Sequence, residues 1–219
     1  IGIPFSDPVM DGRIIQEASR RAIEIGATPA SIISELAKVD IGIPLVVMTY
    51  YNPVQHFGHD RFAASLRASG IDGVIIPDLP LDELIAPPDG TEPAWSDAAD
   101  RSGIETVLLA ALTTPEARLA AICRQSKGFV YGVSLLGVTG ERASLSGGAL
   151  EMGRRLKAAT DKPVLLGVGL STPDQAVEAV TAADGVIVGS ALVRRLLEGG
   201  GPEQAGALVA DFRAGLDSA

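Results

Sequence analysis

Two stretches of the chain combine residue types that chemistry requires. Near the start, Pro4-Phe5-Ser6-Asp7-Pro8-Val9-Met10-Asp11-Gly12 puts two carboxylates into one short loop. A carboxylate there can stabilise or move a proton, although Asp7 before a proline also fits a turn and Asp11-Gly12 also fits a helix entry. Toward the other end lie three glycine clusters: Gly137-Val138-Thr139-Gly140, Gly167-Val168-Gly169 and Gly189-Ser190. Glycine lets the backbone approach an anion and turn successive N–H groups onto its oxygens. Gly189-Ser190-Ala191-Leu192 opens a helix pattern, adding a hydroxyl and the positive end of a helix dipole. Any one cluster alone reads better as a turn or helix start. Three in succession, each after a strand-like run, point to a small phosphorylated ligand.

The elements that position these residues alternate along the whole chain. Strand-like apolar runs occupy Ile43–Tyr50, Gly73–Pro77, Ile104–Ala111, Gly128–Leu135, Pro163–Gly169 and Gly185–Gly189. They are β-branched and bounded by Gly, Pro or Asp, the pattern of strands buried on both faces of a parallel sheet. Helical spacing covers Gly12–Gly26, Pro29–Val39, Asp60–Ser69, Trp95–Ser102, Pro115–Ser126, Ala149–Ala159, Pro173–Ala183 and Gln204–Leu216. Thr114-Pro115 and Thr172-Pro173 each set a capping hydroxyl before a proline at the first helical position. Parallel strands need crossover helices, so the expectation is one α/β domain over residues 1–219. Ala86–Pro93 reads as a surface loop.

No strand is followed by G-x-G-x-x-G, which argues against a dinucleotide-binding sheet. Glycines after the last strands favour a (β/α)8 TIM barrel, whose phosphate site often follows strands seven and eight. The six runs are then strands three to eight. The strand-like opening Ile1-Gly2-Ile3-Pro4-Phe5, and a length of 219 against about 250 for the fold, fit a barrel clipped of its first two strands and first helix.

Composition narrows the function. The net charge of −9, from 27 acidic and 18 basic residues, disfavours nucleic acid and anionic membrane partners. No apolar run nears the roughly 18 residues of a membrane span. A single cysteine, Cys123, suits a reducing compartment, so a cytoplasmic location is expected. His56 and His59 stand three apart without a third ligand nearby, so no metal is expected. Trp95 reads as helix packing.

The runs G-I-P-F-S-D-P-x-x-D-G, V-V-M-T-Y-Y-N-P-V, P-D-L-P, L-G-V-T-G and D-G-V-I-V-G-S-A, in this order, resemble the tryptophan synthase α-chain family over essentially the whole chain. The resemblance implies a barrel lyase that cleaves indole-3-glycerol phosphate to indole and glyceraldehyde 3-phosphate. It implies no cofactor in this chain. A pyridoxal-phosphate-dependent β chain takes the indole, in an α2β2 heterotetramer. Asp11 matches the family's catalytic aspartate, and Tyr131 its tyrosine near the glycerol chain. Thr139 and Gly140 match a loop that closes over substrate. Gly140, Gly169, Gly189 and Ser190 match the phosphate cradle. Met48, Ile75, Leu109, Val168 and Ile187 match the indole pocket, though each also suits a barrel core. Asp7, Pro8, Asn52, Pro53 and Pro80 match the β-chain docking segments.

The family's second carboxylate, a proton-transferring glutamate, matches a position directly before Ile1. Residues 1–219 alone are therefore expected to be nearly inert. Arg13 and Leu112 stand where the family commonly has proline. Two other readings stay open on the residues themselves: another phosphate-binding barrel isomerase or epimerase, and a non-catalytic phospho-ligand barrel that activates a partner.

Overall fold

The computed structural model describes residues 1–84, 95–133, 147–167 and 169–219. All six strand-like runs contain a strand, each shorter than its apolar run: β1 (Val46–Met48), β2 (Gly73–Ile75), β3 (Glu105–Ala111), β4 (Val130–Val133), β5 (Val164–Gly167) and β6 (Gly185–Val186). The expected helices form as α1 (Arg13–Glu24), α2 (Pro29–Leu36), α4 (His59–Ala68), α6 (Trp95–Ser102), α7 (Glu116–Gln125), α8 (Gly147–Ala159), α9 (Pro173–Val180) and α11 (Gly201–Asp217). The helix opened at Ser190 is α10 (Ser190–Leu197). Two short helices have no counterpart in the expected pattern: α3 (Tyr51–Phe57) and α5 (Leu81–Leu84).

Helix starts follow the chemistry of their caps. The Thr172 hydroxyl accepts the Gln175 N–H while Gln175 returns a side-chain contact to the cap, with Pro173 at the first turn. Thr28-Pro29 starts α2 the same way, with Ser31 as the reciprocal partner.

The chain forms two compact units. The first comprises Ile1–Met10, Ser19–Leu108 and Ser126–Gly128. In it β1, β2 and β3 pair in parallel, with Val47 opposite Val74 and Val74 opposite Thr106. The opening residues join β1 as a further parallel segment. The Ile3 N–H donates to the Met48 carbonyl at 2.9 Å, and the Met48 N–H donates to the Ile1 carbonyl at 2.8 Å. The strand-like reading of this opening is therefore met. Phe62, Leu66, Val47, Val74 and Trp95 are fully buried here. Trp95 Nε1 donates to Thr106 Oγ1 at 3.0 Å, so the buried indole N–H is satisfied and Trp95 is a packing residue.

The second unit comprises Asp11–Ala18, Leu109–Gln125 and Phe129–Ala219. Its strands β4, β5 and β6 are parallel, with Tyr131 opposite Leu165, Val133 opposite Gly167 and Leu166 opposite Val186. Helix α8 packs on β4 and β5, α9 on β6, and α11 on α9. Leu166, Leu170, Ala176, Ala179 and Phe212 form its core.

The expectation of strands buried on both faces holds for β2 alone among the short strands. In β1, β4 and β5 buried residues alternate with half-buried ones. The buried set of β4 and β5 lies under α8, whereas the half-buried set includes Met48 and Tyr131, residues expected to meet a ligand.

One device appears once in each unit. Asp72 and Asp184 each precede a strand-opening glycine, in Asp72-Gly73-Val74-Ile75 and Asp184-Gly185-Val186-Ile187. The Asp72 carboxylate accepts the Leu45 N–H at 2.9 Å, and the Asp184 carboxylate accepts the Val164 N–H at 2.8 Å. Each ties one strand's entry to that of the preceding strand.

Candidate functional site

The loop carrying Asp11 is held at several points along its length. The Phe5 ring packs against Tyr50 with centroids 5.3 Å apart. The Met10 N–H donates to the Tyr50 hydroxyl at 3.0 Å. Exposed Asp7 closes a local turn: its carboxylate accepts the Ser6 hydroxyl at 2.6 Å and its carbonyl accepts the Val9 N–H at 2.8 Å. Asp11 is half-buried, and its carbonyl accepts the side-chain amide of Gln16 at 2.9 Å. Helix α1 begins two residues later.

Tyr131 stands in β4, with its ring lying over β5. A Cβ on Gly167 would collide with the Tyr131 ring and hydroxyl, so glycine is the residue that admits this ring position. Burial pushes the Tyr131 phenol up to about 12, and the Asp11 carboxylate adds to the shift. Tyr131 is therefore a neutral hydroxyl near neutral pH, able to donate or accept a hydrogen bond. Both residues belong to the second unit.

Gly169, Gly189 and Ser190 belong to the same unit and follow the adjacent parallel strands β5 and β6. Gly169 takes a φ of +77°, in the left-handed region that favours glycine. Gly169 and Gly189 are exposed, and a Cβ on either would meet nothing within 4 Å. Ser190 is the first residue of α10, where leading N–H groups lack intrahelical acceptors. The arrangement can present backbone donors to an anion. Thr139, Gly140, Val168 and the Ala86–Pro93 loop lie outside the described residues.

The residues expected around an indole divide between the units. In the first, Met48 pairs with Ile75; Met48 is half-buried and Ile75 is buried. In the second, Leu109 and Ile187 are half-buried. The residues expected to dock a partner all belong to the first unit: Asp7, Asn52 and Pro80 are exposed, and Pro8 and Pro53 half-buried. Asn52 and Pro53 lie in the first turn of α3, where the Tyr51 N–H donates to Asp78 at 2.8 Å. Pro53 therefore suits a helix start, in a stretch to which the apolar spacing assigns no helix.

His59 Nε2 lies 3.0 Å from the Tyr51 hydroxyl, and His56 Nδ1 3.1 Å from the Asn52 carbonyl. Among the described residues no group of three His, Cys, Asp or Glu side chains could hold a metal ion. Cys123 is buried in α7, and that burial pushes its thiol up, away from a reactive thiolate.

Two positioning features escaped the sequence reading. Arg155 of α8 donates to the carbonyls of Leu112 at 2.5 Å and Thr114 at 2.8 Å, and to the Glu116 carboxylate. It thereby holds the loop that leaves β3. Tyr50 was likewise one aromatic in an apolar run, with no sequence signal for its hydrogen bond to Met10. The repeated Asp-Gly-Val-Ile tetrapeptide, by contrast, was open to detection.

The chain is similar to known proteins along nearly its whole length. The family described as "Tryptophan synthase alpha chain" matches residues 1–214. The tryptophan synthase alpha chain of Streptomyces coelicolor is 42% identical over 222 residues, covering 99% of this chain and 79% of its own. That of a Cyanothece species is 41% identical, covering 100% and 80%. Among solved structures, Mycobacterium tuberculosis tryptophan synthase superposes with a TM-score of 0.86 at 40% identity, over 98% of this chain and 79% of that one. A mutant tryptophan synthase alpha-subunit from the hyperthermophile Pyrococcus furiosus gives 0.84 at 36% identity, over 97% and 84%. The α/β, (β/α)8-type reading of the sequence agrees with these matches. With its motifs in order and nearly all of its length matched, the chain belongs to the tryptophan synthase alpha chain family.

Proposed function

We propose that this chain serves tryptophan biosynthesis as a carbon–carbon lyase, cleaving indole-3-glycerol phosphate to indole and glyceraldehyde 3-phosphate. In this retro-aldol step indole C3 gains a proton, the bond from C3 to the carbinol carbon breaks, and the carbinol hydroxyl loses its proton to become the aldehyde. Asp11 faces the indole N–H and stabilises the cation that C3 protonation creates, a charge met by a fixed carboxylate. Tyr131, neutral, hydrogen-bonds the glycerol chain. Gly169, Gly189 and Ser190, with Gly140, hold the phosphate. Met48, Ile75, Leu109, Val168 and Ile187 line the indole pocket, and Thr139 closes over it.

The observation that carries the reading is the family match over residues 1–214, in a chain whose Asp11, Tyr131, Gly169, Gly189 and Ser190 belong to one compact unit. The chain needs no cofactor for this chemistry. Pyridoxal phosphate belongs to a β chain that docks at Asp7, Pro8, Asn52, Pro53 and Pro80 to form α2β2, in the cytoplasm. The test is product analysis with the full-length gene product. Indole and glyceraldehyde 3-phosphate in equal amounts support the proposal; consumption of substrate without indole, or no consumption, refutes it. Partner docking is tested by titrating the β chain against Asn52→Asp, for which weakened binding is expected.

A further inference from the structure

Gly169 can hold an anion only if the short link between β5 and α9 keeps its backbone in place. That link, Gly169-Leu170-Ser171-Thr172, has no strand ladder of its own. Its middle is pinned by the Leu170 side chain, 2% exposed in the core with Leu166, Ala176, Ala179 and Phe212. Its end is pinned by Gln175, which is only 6% exposed in the first turn of α9. Gln175 Oε1 accepts the Ser171 N–H at 2.8 Å, the Thr172 N–H at 3.3 Å and the Ser171 hydroxyl at 3.3 Å. An ordinary capping box engages only the N–H of the cap residue, here Thr172. The shorter bond reaches one residue further back, toward Gly169, and is more than the helix needs. All of these residues belong to the second unit.

We infer that Gln175 is the positioning residue of the phosphate loop: its neutral amide oxygen fixes the backbone after Gly169 without setting a negative charge beside the anion. The inference rests on the reading of Gly169 as a phosphate contact given above. Gln175 touches neither the phosphate nor the reacting atoms. The helix alone would accept glutamate here, since Glu serves a capping box as well as Gln and suits a first turn. Ser171 is within about 7 Å of Gly169 along the chain. A carboxylate bonded to Ser171 would therefore face the phosphate across a distance comparable to the screening length, about 10 Å at 0.1 M salt. The phosphate is remote from the bond that breaks, so it is held alike in the ground state and the transition state. Loss of such uniform binding raises KM and leaves kcat in place.

The experiment is steady-state indole release from indole-3-glycerol phosphate by the full-length protein, with inorganic phosphate as competitor, at low and high salt. Wild type, Gln175→Glu and Gln175→Leu are compared. Gln175→Glu keeps the acceptor and the cap, so its Tm is expected to be no lower than that of wild type. At low salt its KM and its inhibition constant for phosphate are expected to rise about fivefold, with kcat within about twofold. The rise is expected to shrink at high salt, which screens the added charge. Gln175→Leu loses the acceptor, and both constants are expected to rise about tenfold at either salt concentration. If Gln175→Leu fails to fold, Gln175→Glu decides alone. Gln175→Glu with wild-type KM and phosphate inhibition overturns the inference, and so does a rise that salt leaves unchanged. Wild type that releases no indole, or whose release is indifferent to phosphate, refutes the reading of the site, and the inference falls with it. A wild type inhibited by phosphate, with indifferent variants, refutes only the inference.

Discussion

The Tyr131 ring rests on the backbone of Gly167, occupying the space that any side chain on that residue would need. The two lie on neighbouring parallel strands, where Val133 of β4, two residues beyond Tyr131, pairs with Gly167 of β5. Gly167→Ala is therefore expected to displace the ring or the strand. Overpacking of this kind costs about 1–3 kcal/mol. In a Tyr131→Ala background the obstacle is gone, and Gly167→Ala is expected to have a much smaller effect. Urea melts of the four proteins of this cycle give the coupling directly; additive losses contradict the packing account.

Tyr131 also predicts an alkaline effect. Its phenol is pushed up to about 12, first by burial and then by the Asp11 carboxylate, whereas unfolded tyrosine titrates near 10. The folded state thus keeps a proton that the unfolded state releases. Stability from this group is present below about pH 10 and is lost as pH rises toward 12. Of the three tyrosines, Tyr131 is expected to titrate high in phenolate absorbance, and Asp11→Asn is expected to bring that step down. An unchanged step in the variant contradicts a nearby Asp11 charge.

Asp184 predicts the opposite limb. The Lys157 ammonium and the Val164 N–H hold its carboxyl below the usual value, with the lysine hydrogen bond the larger cause. A carboxylate lowered in the folded state contributes stability above its unfolded pKa, and loses it as pH falls through the folded value. Asp184→Ala leaves the Val164 N–H at the start of β5 without this acceptor, at a cost of about 1–2 kcal/mol near neutral pH. The variant's deficit is expected to shrink in strong acid. Guanidine melts at neutral and acid pH check this; a deficit independent of pH contradicts it.

Thr172→Ala removes the hydroxyl that caps α9 and breaks the reciprocal pair with Gln175. The expected loss is about 1 kcal/mol, which lowers Tm by roughly 2–4 °C in a chain of this size. Thr172→Ser is expected to recover most of it, because serine caps as well. An alanine variant with the wild-type Tm contradicts the capping assignment.

Much of this architecture was legible because apolar periodicity and punctuation agree. Gly73-Val74-Ile75 and Val164-Leu165-Leu166 read as strands from β-branched and aliphatic runs, and Thr172-Pro173 marks the start of its helix to the residue. Strand lengths were overestimated, because apolar character extends past the last ladder bond: Thr49 and Tyr50 follow β1 as buried residues outside it. Helix α3 was hidden by Asn52-Pro53, since proline serves a first turn as readily as a loop. Of the candidate site, Asp11 stands out by residue type and the glycines only by their succession after strands. The hydroxyl of Tyr50 and the guanidinium of Arg155 did not, because their partners are backbone groups 40 and more residues away, which leave no mark on local sequence.

If Asp11 stabilises the cation formed in the cleavage of indole-3-glycerol phosphate, its loss must lower the rate and spare substrate affinity. The most direct test is kcat for indole release by the full-length protein with Asp11, Asp11→Asn and Asp11→Ala, together with the affinity of each for an unreactive phosphorylated indole analogue. Removing a preorganised charge-stabilising group typically costs about 10²–10³-fold in rate. A loss of about that size is expected in both variants, with the analogue still bound within a few fold of wild type. A folded Asp11→Asn protein that releases indole at the wild-type rate contradicts it.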